Sequence, residues 1–195
     1  MELIFATNNE HKAKEVQSII PASIEIITLK QAGITVDIPE PYNTLEENAA
    51  EKARKIYGYT GKNSFGEDTG LEVTTLNGDP GVLSARYAGE NRSSKDNIEK
   101  LLLNLKPFQD RSAHFRTVIF LLLDNKEYSF EGTCNGTIAF EPRGDEGFGY
   151  DAVFIPDNSI KTFGEMTLNE KNRHSHRKKA MTKLVTFLNQ LALKK

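Results

Sequence analysis

Four short stretches of this chain hold side chains that can do chemistry. In Thr7-Asn8-Asn9-Glu10-His11-Lys12 a polar turn runs into a helix. A helix start exposes unpaired N–H groups and a positive dipole end, which suit a phosphate, and Lys12 on the first turn adds a full charge. Plain N-capping by Asn8 or Asn9 beside a solvated lysine is the other reading of the same spacing. The stretch lacks the glycines and the Lys-Ser/Thr pair of a P-loop.

The second stretch is Glu67-Asp68-Thr69-Gly70, set against Glu40. Adjacent carboxylates after an apolar segment and before a glycine place acid groups at an element end. Hard cations such as Mg²⁺ take such oxygen ligands, with phosphate oxygens and waters completing the shell. A solvated acidic turn has the same composition. Glu40 lies in Ile38-Pro39-Glu40-Pro41, where flanking prolines stiffen the backbone and aim the side chain.

The third is Gly147-Phe148-Gly149-Tyr150-Asp151. Aromatic faces on a glycine-rich backbone can stack on a nucleobase. A strand with core aromatics is the bland alternative, since Val153 and Phe154 continue an apolar run. The fourth is Ser175-His176-Arg177, which opens the last helix. Cations in a first turn oppose the helix dipole, so their presence suggests donors kept for an acceptor-rich ligand, against a basic solvated surface as the plainer reading.

These residues need elements to position them. Leu3 to Ala6 reads as a buried strand, and Ala13, Val16, Ile19 and Ile20 mark a helix stopped by Pro21. Ile24 to Thr28 is a second strand. Thr44 to Glu47 forms a capping box, and Leu45, Ala49, Ala53 and Ile56 give that helix one apolar face, with Gly58 as its C-terminal cap. Leu71 to Val73 is a strand, and Asn77-Gly78 a turn. Ser94 caps a helix carrying Ile98, Leu101, Leu102 and Leu105. His114 to Leu123 and Glu127 to Phe140, joined by Asp124-Asn125-Lys126, form an antiparallel hairpin. In the last helix Ala180, Leu184, Leu188 and Leu191 make the buried stripe. Helices at both ends and a strand-rich middle indicate an α/β fold with a mixed sheet.

Composition narrows the possible functions. The chain has 195 residues, 38% hydrophobic and 27% charged, with 25 Lys plus Arg against 27 Asp plus Glu. That is a soluble globular composition, and the length fits one domain over residues 1–195, or one with two lobes. No apolar run approaches the ~20 residues of a membrane helix, and the start lacks the features of a signal peptide. A net charge of -2 argues against a broad grip on nucleic acid. Cys134 is the sole cysteine, which excludes an internal disulfide and a cysteine-built metal site.

Taken in order, Ala6-Thr7-Asn8-Asn9-x-x-Lys12-x-x-Glu15, Glu47-Asn48-Ala49-x-x-Lys52-Ala53, Glu67-Asp68-Thr69-Gly70-Leu71, Pro80-Gly81-x-x-Ser84-Ala85-Arg86-Tyr87, Phe148-Gly149-Tyr150-Asp151, Glu170-Lys171 and Ser175-His176-Arg177 resemble the inosine triphosphate pyrophosphatase family over nearly the whole chain. The resemblance implies two α/β lobes around a long mixed β-sheet flanked by helices, with the active site in the cleft between them. It implies a cytoplasmic homodimer, Mg²⁺ dependence, and hydrolysis of ITP, dITP and XTP to the monophosphate and pyrophosphate. Nucleic-acid and membrane partners are not expected.

By the same resemblance Asp68 is the general base and a metal ligand. Glu40 is a metal-binding acid, and Glu67 a further candidate. Thr7, Asn9 and Lys12 grip the phosphates, with Asn8 and Thr69 as further substrate contacts. Phe148, Gly149, Tyr150 and Asp151 bind the base, and Lys171, His176 and Arg177 add base and substrate contacts. Donors from His176 and Arg177 would suit the 6-oxygen of hypoxanthine or xanthine and reject the amino group of adenine. Four departures stand out: Glu67 where bacterial relatives usually have a second aspartate, Pro41-Tyr42-Asn43 in place of a Thr-Gly-containing stretch after Glu40, Ala152 where the family usually has proline, and Lys178 where it usually has glycine. The rival readings are a Mg²⁺-dependent pyrophosphatase for modified pyrimidine nucleotides and a non-catalytic nucleotide- or RNA-binding module.

Overall fold

The computed structural model describes residues 1–36 and 38–193. Its strands and helices follow the order expected of an α/β chain. Strand β1 (Glu2–Phe5) leads into helix α1 (Glu10–Gln17), and β2 (Glu25–Thr28) follows. Helix α2 (Leu45–Thr60), β3 (Ser64–Val73), β4 (Pro80–Gly81) and α3 (Ser94–Leu105) come next. The hairpin of β5 (Ser112–Leu123) and β6 (Lys126–Ile138) precedes β7 (Phe154–Pro156), the short α4 (Leu168–Lys171) and α5 (His176–Ala192). The strand order is β2-β1-β3-β5-β6-β7, with β4 paired to β3. β1 runs parallel to β2 and β3, whereas β4 is antiparallel to β3 and β7 to β6, so the sheet is mixed.

The chain divides into two compact units. The first comprises Met1–Asp68, Thr117–Gly132 and Arg177–Lys195, and the second Thr69–Arg116 and Thr133–His176. In the first, Leu3, Phe5 and Phe65 join Ile119, Leu121 and the α5 residues Ala180, Met181, Leu184 and Leu188 in one core. Ile4, Ala6 and Ile56 belong to another, toward α2. In the second, Leu71, Leu101, Phe115, Tyr150, Phe154 and Phe163 are among the residues of a single core.

Several boundaries differ from the sequence expectation, each for a local reason. Helix α2 passes through Gly58 and stops at Gly61, whose φ of 67° is the left-handed cap that glycine supplies. Ser93 rather than Ser94 caps α3, accepting from the Asp96 N–H at 3.2 Å. Asp124 and Asn125 both take positive φ (49° and 63°), the conformation that matches a two-residue hairpin to the twist of its strands. Glu67 to Gly70 is not a turn at an element end: it lies inside the ten-residue strand β3.

Candidate active site

Because β3 is a strand, its successive side chains leave on opposite faces. Phe65 stacks on Phe5, 4.4 Å between centroids, on the face covered by α1 and α5. Ser64 and Gly66 take the other face, toward α2, where the Ser64 hydroxyl donates to the Ala53 carbonyl. A Cβ at Gly66 would sit 2.2 Å from the Ala49 carbonyl oxygen and 2.8 Å from Lys52 Cβ. Glycine is therefore what lets α2 lie against the strand.

That close approach delivers Lys52. Its ammonium donates to Asp68 Oδ1 at 2.9 Å and to the Glu67 carbonyl at 3.1 Å, and pairs with Glu40 Oε1 at 2.5 Å. Burial works against its charge, but Asp68 and Glu40 outweigh burial and hold its pKa above the usual 10.5. One turn earlier on α2, Asn48 offers its Nδ2 to Asp68 Oδ2 at 3.5 Å. The same amide exchanges hydrogen bonds with both backbone groups of Tyr42, tying down the segment that follows Glu40.

Glu67 faces the other way. Arg177 of α5 grips both its carboxylate oxygens, Nε to Oε2 at 2.8 Å and Nη2 to Oε1 at 2.9 Å, and gives Nη1 to Glu15 of α1. Burial opposes the Arg177 charge, yet Glu67 and Glu15 more than restore it, so its pKa moves up. Lys12 Nζ pairs with Glu67 Oε1 at 3.3 Å. Asn9 caps α1, its Oδ1 accepting from the His11 and Lys12 N–H groups at 3.0 and 3.1 Å, and Thr7 Oγ1 accepts from the Asn9 N–H. The capping reading of this turn thus holds for Asn9, but the lysine is not solvated: its side chain is 14% exposed and anchored at its tip. Asn8 is exposed and Thr7 half-buried.

The second unit holds the aromatic segment, which is a turn and not a strand. The Phe148 N–H and the Lys171 ammonium both donate to Asp151 Oδ2, at 2.8 and 2.5 Å. Lys171 Nζ also lies 5.1 Å from the centre of the half-buried Phe148 ring. A side chain at Gly147 would strike Asp151, and Gly149 takes a φ of 61°, so both glycines serve the turn itself. Tyr150 is a core residue, its hydroxyl donating to the Ser84 carbonyl at 2.9 Å. Burial, with Tyr87 adding to it, pushes its pKa well up. Buried His176 stacks on Phe115 at 4.7 Å. Thr69, on β3, is half-buried.

Lys12, Glu67 and Arg177 are therefore brought together in the first unit, as are Glu40 and Asp68, while Phe148, Asp151 and Lys171 meet in the second. The three acids expected around a metal are not gathered. Among the described residues no group of three His, Cys, Asp or Glu side chains is placed to hold an ion. Strand alternation turns Glu67 away from Asp68, and both Glu67 oxygens are spent on Arg177. Arg177 likewise points its donors at carboxylates, where the sequence reading aimed them at a purine oxygen. The residues that sequence reasoning left without a role are Lys52, Asn48 and Glu15. The available signal was spacing: Asn48 and Lys52 are four apart on one helix and Lys12 and Glu15 three apart on another, so each pair shares a face.

Asp68 and Glu40 remain a fit for Mg²⁺ in donor chemistry. Both present hard carboxylate oxygens on either side of one cation, and Mg²⁺ commonly takes one or two protein carboxylates plus phosphate oxygens and waters.

The model of the Ham1 family matches residues 3–187. A dITP/XTP pyrophosphatase of Flavobacterium psychrophilum is 47% identical over 187 residues, covering 96% of this chain and 98% of that protein. Among solved structures, the Staphylococcus aureus Ham1 protein is 38% identical with a TM-score of 0.87, and a HAM1 protein from Coxiella burnetii 37% identical with a TM-score of 0.89. Each alignment covers 97% of this chain and 99% of the other.

Proposed function

Since the chain belongs to the Ham1 family, we propose that it hydrolyses non-canonical purine nucleoside triphosphates (ITP, dITP and XTP) to the monophosphate and pyrophosphate. The observation that carries this reading is Lys52 held between Asp68 and Glu40. A module that merely binds polyanions gains nothing from two carboxylates fixed on a buried cation; a hydrolase needs a carboxylate of defined position.

In this reading Asp68 orients the attacking water and takes up its proton at a carboxylate oxygen, while Lys52 and Asn48 fix the rotamer from which it does so. Attack is in line on the α-phosphorus. Lys12, with the positive dipole end of α1 behind it, takes the charge of the leaving pyrophosphate. Asp68 and Glu40 would hold Mg²⁺, which supplies charge neutralisation on the phosphate oxygens. On the base side, the Phe148 face offers stacking, and Lys171 and His176 supply polar atoms for the purine edge. Action as a homodimer in the cytoplasm also belongs to this reading. Among the described residues no helix is long and apolar enough to cross a membrane.

The experiment is a pyrophosphate-release screen of ITP, XTP, dITP, ATP, GTP and modified pyrimidine triphosphates, with Mg²⁺ and with a chelator. Release confined to the 6-oxo purines other than GTP, lost on chelation, is expected. Preference for the pyrimidines, or binding without release, would replace this reading with one of its rivals.

A further inference from the structure

We propose that Glu67 is the anchor of Lys12 and not a metal ligand, and that Glu15 and Arg177 are positioning residues that hold this anchor. The proposal rests on the reading of Lys12 as a phosphate contact. It starts from four charged side chains in sequence contact: Lys12, Glu67, Arg177 and Glu15. Glu67 is fully enclosed, and Arg177 occupies both its oxygens in the two-pronged geometry that fixes a carboxylate in plane and in rotation. Glu15 then fixes the guanidinium from its remaining side. Lys12 ends on a support that cannot turn.

The charges show why two acids are present. Glu67 alone would neutralise Lys12 and leave nothing for a phosphate. Arg177 is shared between Glu67 and Glu15, and Glu67 is shared between Arg177 and Lys12, so Lys12 keeps an ammonium that is located without being fully quenched. A lysine otherwise loses rotamer freedom when it binds; here that ordering is done beforehand. The network also explains the cation in the first turn of α5. Arg177 faces the unfavourable dipole end because two carboxylates from other elements meet it there.

The test uses binding of inorganic tripolyphosphate without metal, measured by calorimetry, together with steady-state kinetics on ITP. Loss of tripolyphosphate binding in Lys12→Ala addresses the phosphate reading alone. Glu15→Gln and Glu67→Gln address the anchor. Each removes a negative charge near a cation, so simple electrostatics predicts tighter anion binding. The anchor predicts weaker binding, by roughly three- to tenfold, the scale of immobilising one long side chain. KM for ITP should rise in step, with the half-saturating Mg²⁺ concentration unchanged. A purely structural role would lower kcat per mole of protein and leave KM alone. In the Lys12→Ala background Glu15→Gln should raise KM for ITP no further, because the residue it positions is gone. If Glu67→Gln does not fold, Glu15→Gln carries the test. Unchanged or tighter tripolyphosphate binding, an additive double variant, or a raised Mg²⁺ requirement in Glu67→Gln would each overturn the proposal.

Discussion

Glu67 and Asp68 are consecutive in the chain, and β3 sends their carboxylates to opposite faces, Glu67 onto Arg177 and Lys12, Asp68 onto Lys52 and Asn48. One dipeptide thus serves two networks with separate cations. The peptide between them is itself held, since Lys52 also binds the Glu67 carbonyl. A shift of β3 by one residue would exchange the two acids and mispair every cation, so register here is a functional property.

Asp68→Asn should fold normally and lose turnover by about 10²- to 10⁴-fold, the usual contribution of a general base. The amide oxygen can still accept from Lys52, so the packing of α2 on β3 survives. The check is pyrophosphate release on a variant whose circular dichroism and urea midpoint match the wild type. Near-normal turnover would remove Asp68 from the role of base.

Gly66→Ala tests the close approach that brings Lys52 in. The added methyl meets backbone at 2.2 Å, and backbone cannot swing aside as a side-chain tip can. Overpacking of this kind costs typically about 1–3 kcal/mol. We expect a lower urea midpoint and, in the molecules still folded, a lower kcat, because α2 must retreat with Lys52 and Asn48 on it. A variant as stable and active as wild type would show that Lys52 does not depend on this contact.

Much of this was legible in the sequence, and the exceptions share a cause. The Thr44 cap, the α5 stripe and the β5–β6 hairpin are set by local rules; the first two stand where pattern placed them, and the hairpin turn is one residue shorter, with Lys126 already in β6. The acids and glycine of Glu67 to Gly70 suggest an element end, with a solvated turn as the alternative, because such residues punctuate turns. In the fold the glycines at 66 and 70 are the positions where other backbone comes close, Ala49 at one and Gly81 at the other. No local pattern distinguishes a glycine needed for φ from one needed for space. The destination of Arg177 was equally hidden, since its partners lie at positions 15 and 67, far along the chain.

Glu170 supplies a pH test on the element that carries Lys171. Its carboxylate accepts from the Thr167 N–H at 2.8 Å and from Lys161 at 3.0 Å, which pull its pKa from 4.5 to about 2. A depressed folded value means that the stabilisation is complete above the unfolded value and lost as pH falls through the folded one. Glu170→Gln should therefore have a lower Tm than wild type at pH 7. The gap should narrow between about pH 4.5 and pH 2 and vanish below. A gap independent of pH would mean that the carboxylate charge is not what holds the start of α4.

Arg177→Ala separates a base-reading arginine from a positioning one. If Arg177 donated to the purine 6-oxygen, its loss would lower kcat/KM for ITP more than for ATP, and the ratio between them would fall. The geometry predicts otherwise. Removing the guanidinium takes away a cation that buried Glu15 and Glu67 share, and breaking a buried ion pair by removing one partner costs about 3–5 kcal/mol. We therefore expect a large loss of stability by urea denaturation. Activity should fall by the same factor on ITP and ATP, since neither base is sensed there. Arg177→Lys keeps the charge and loses the two-pronged grip, so it should recover part of the stability and little of the ITP affinity. Denaturation curves and kcat/KM on both nucleotides for the two variants decide the matter. A selective loss on ITP, with stability intact, would return Arg177 to the purine edge.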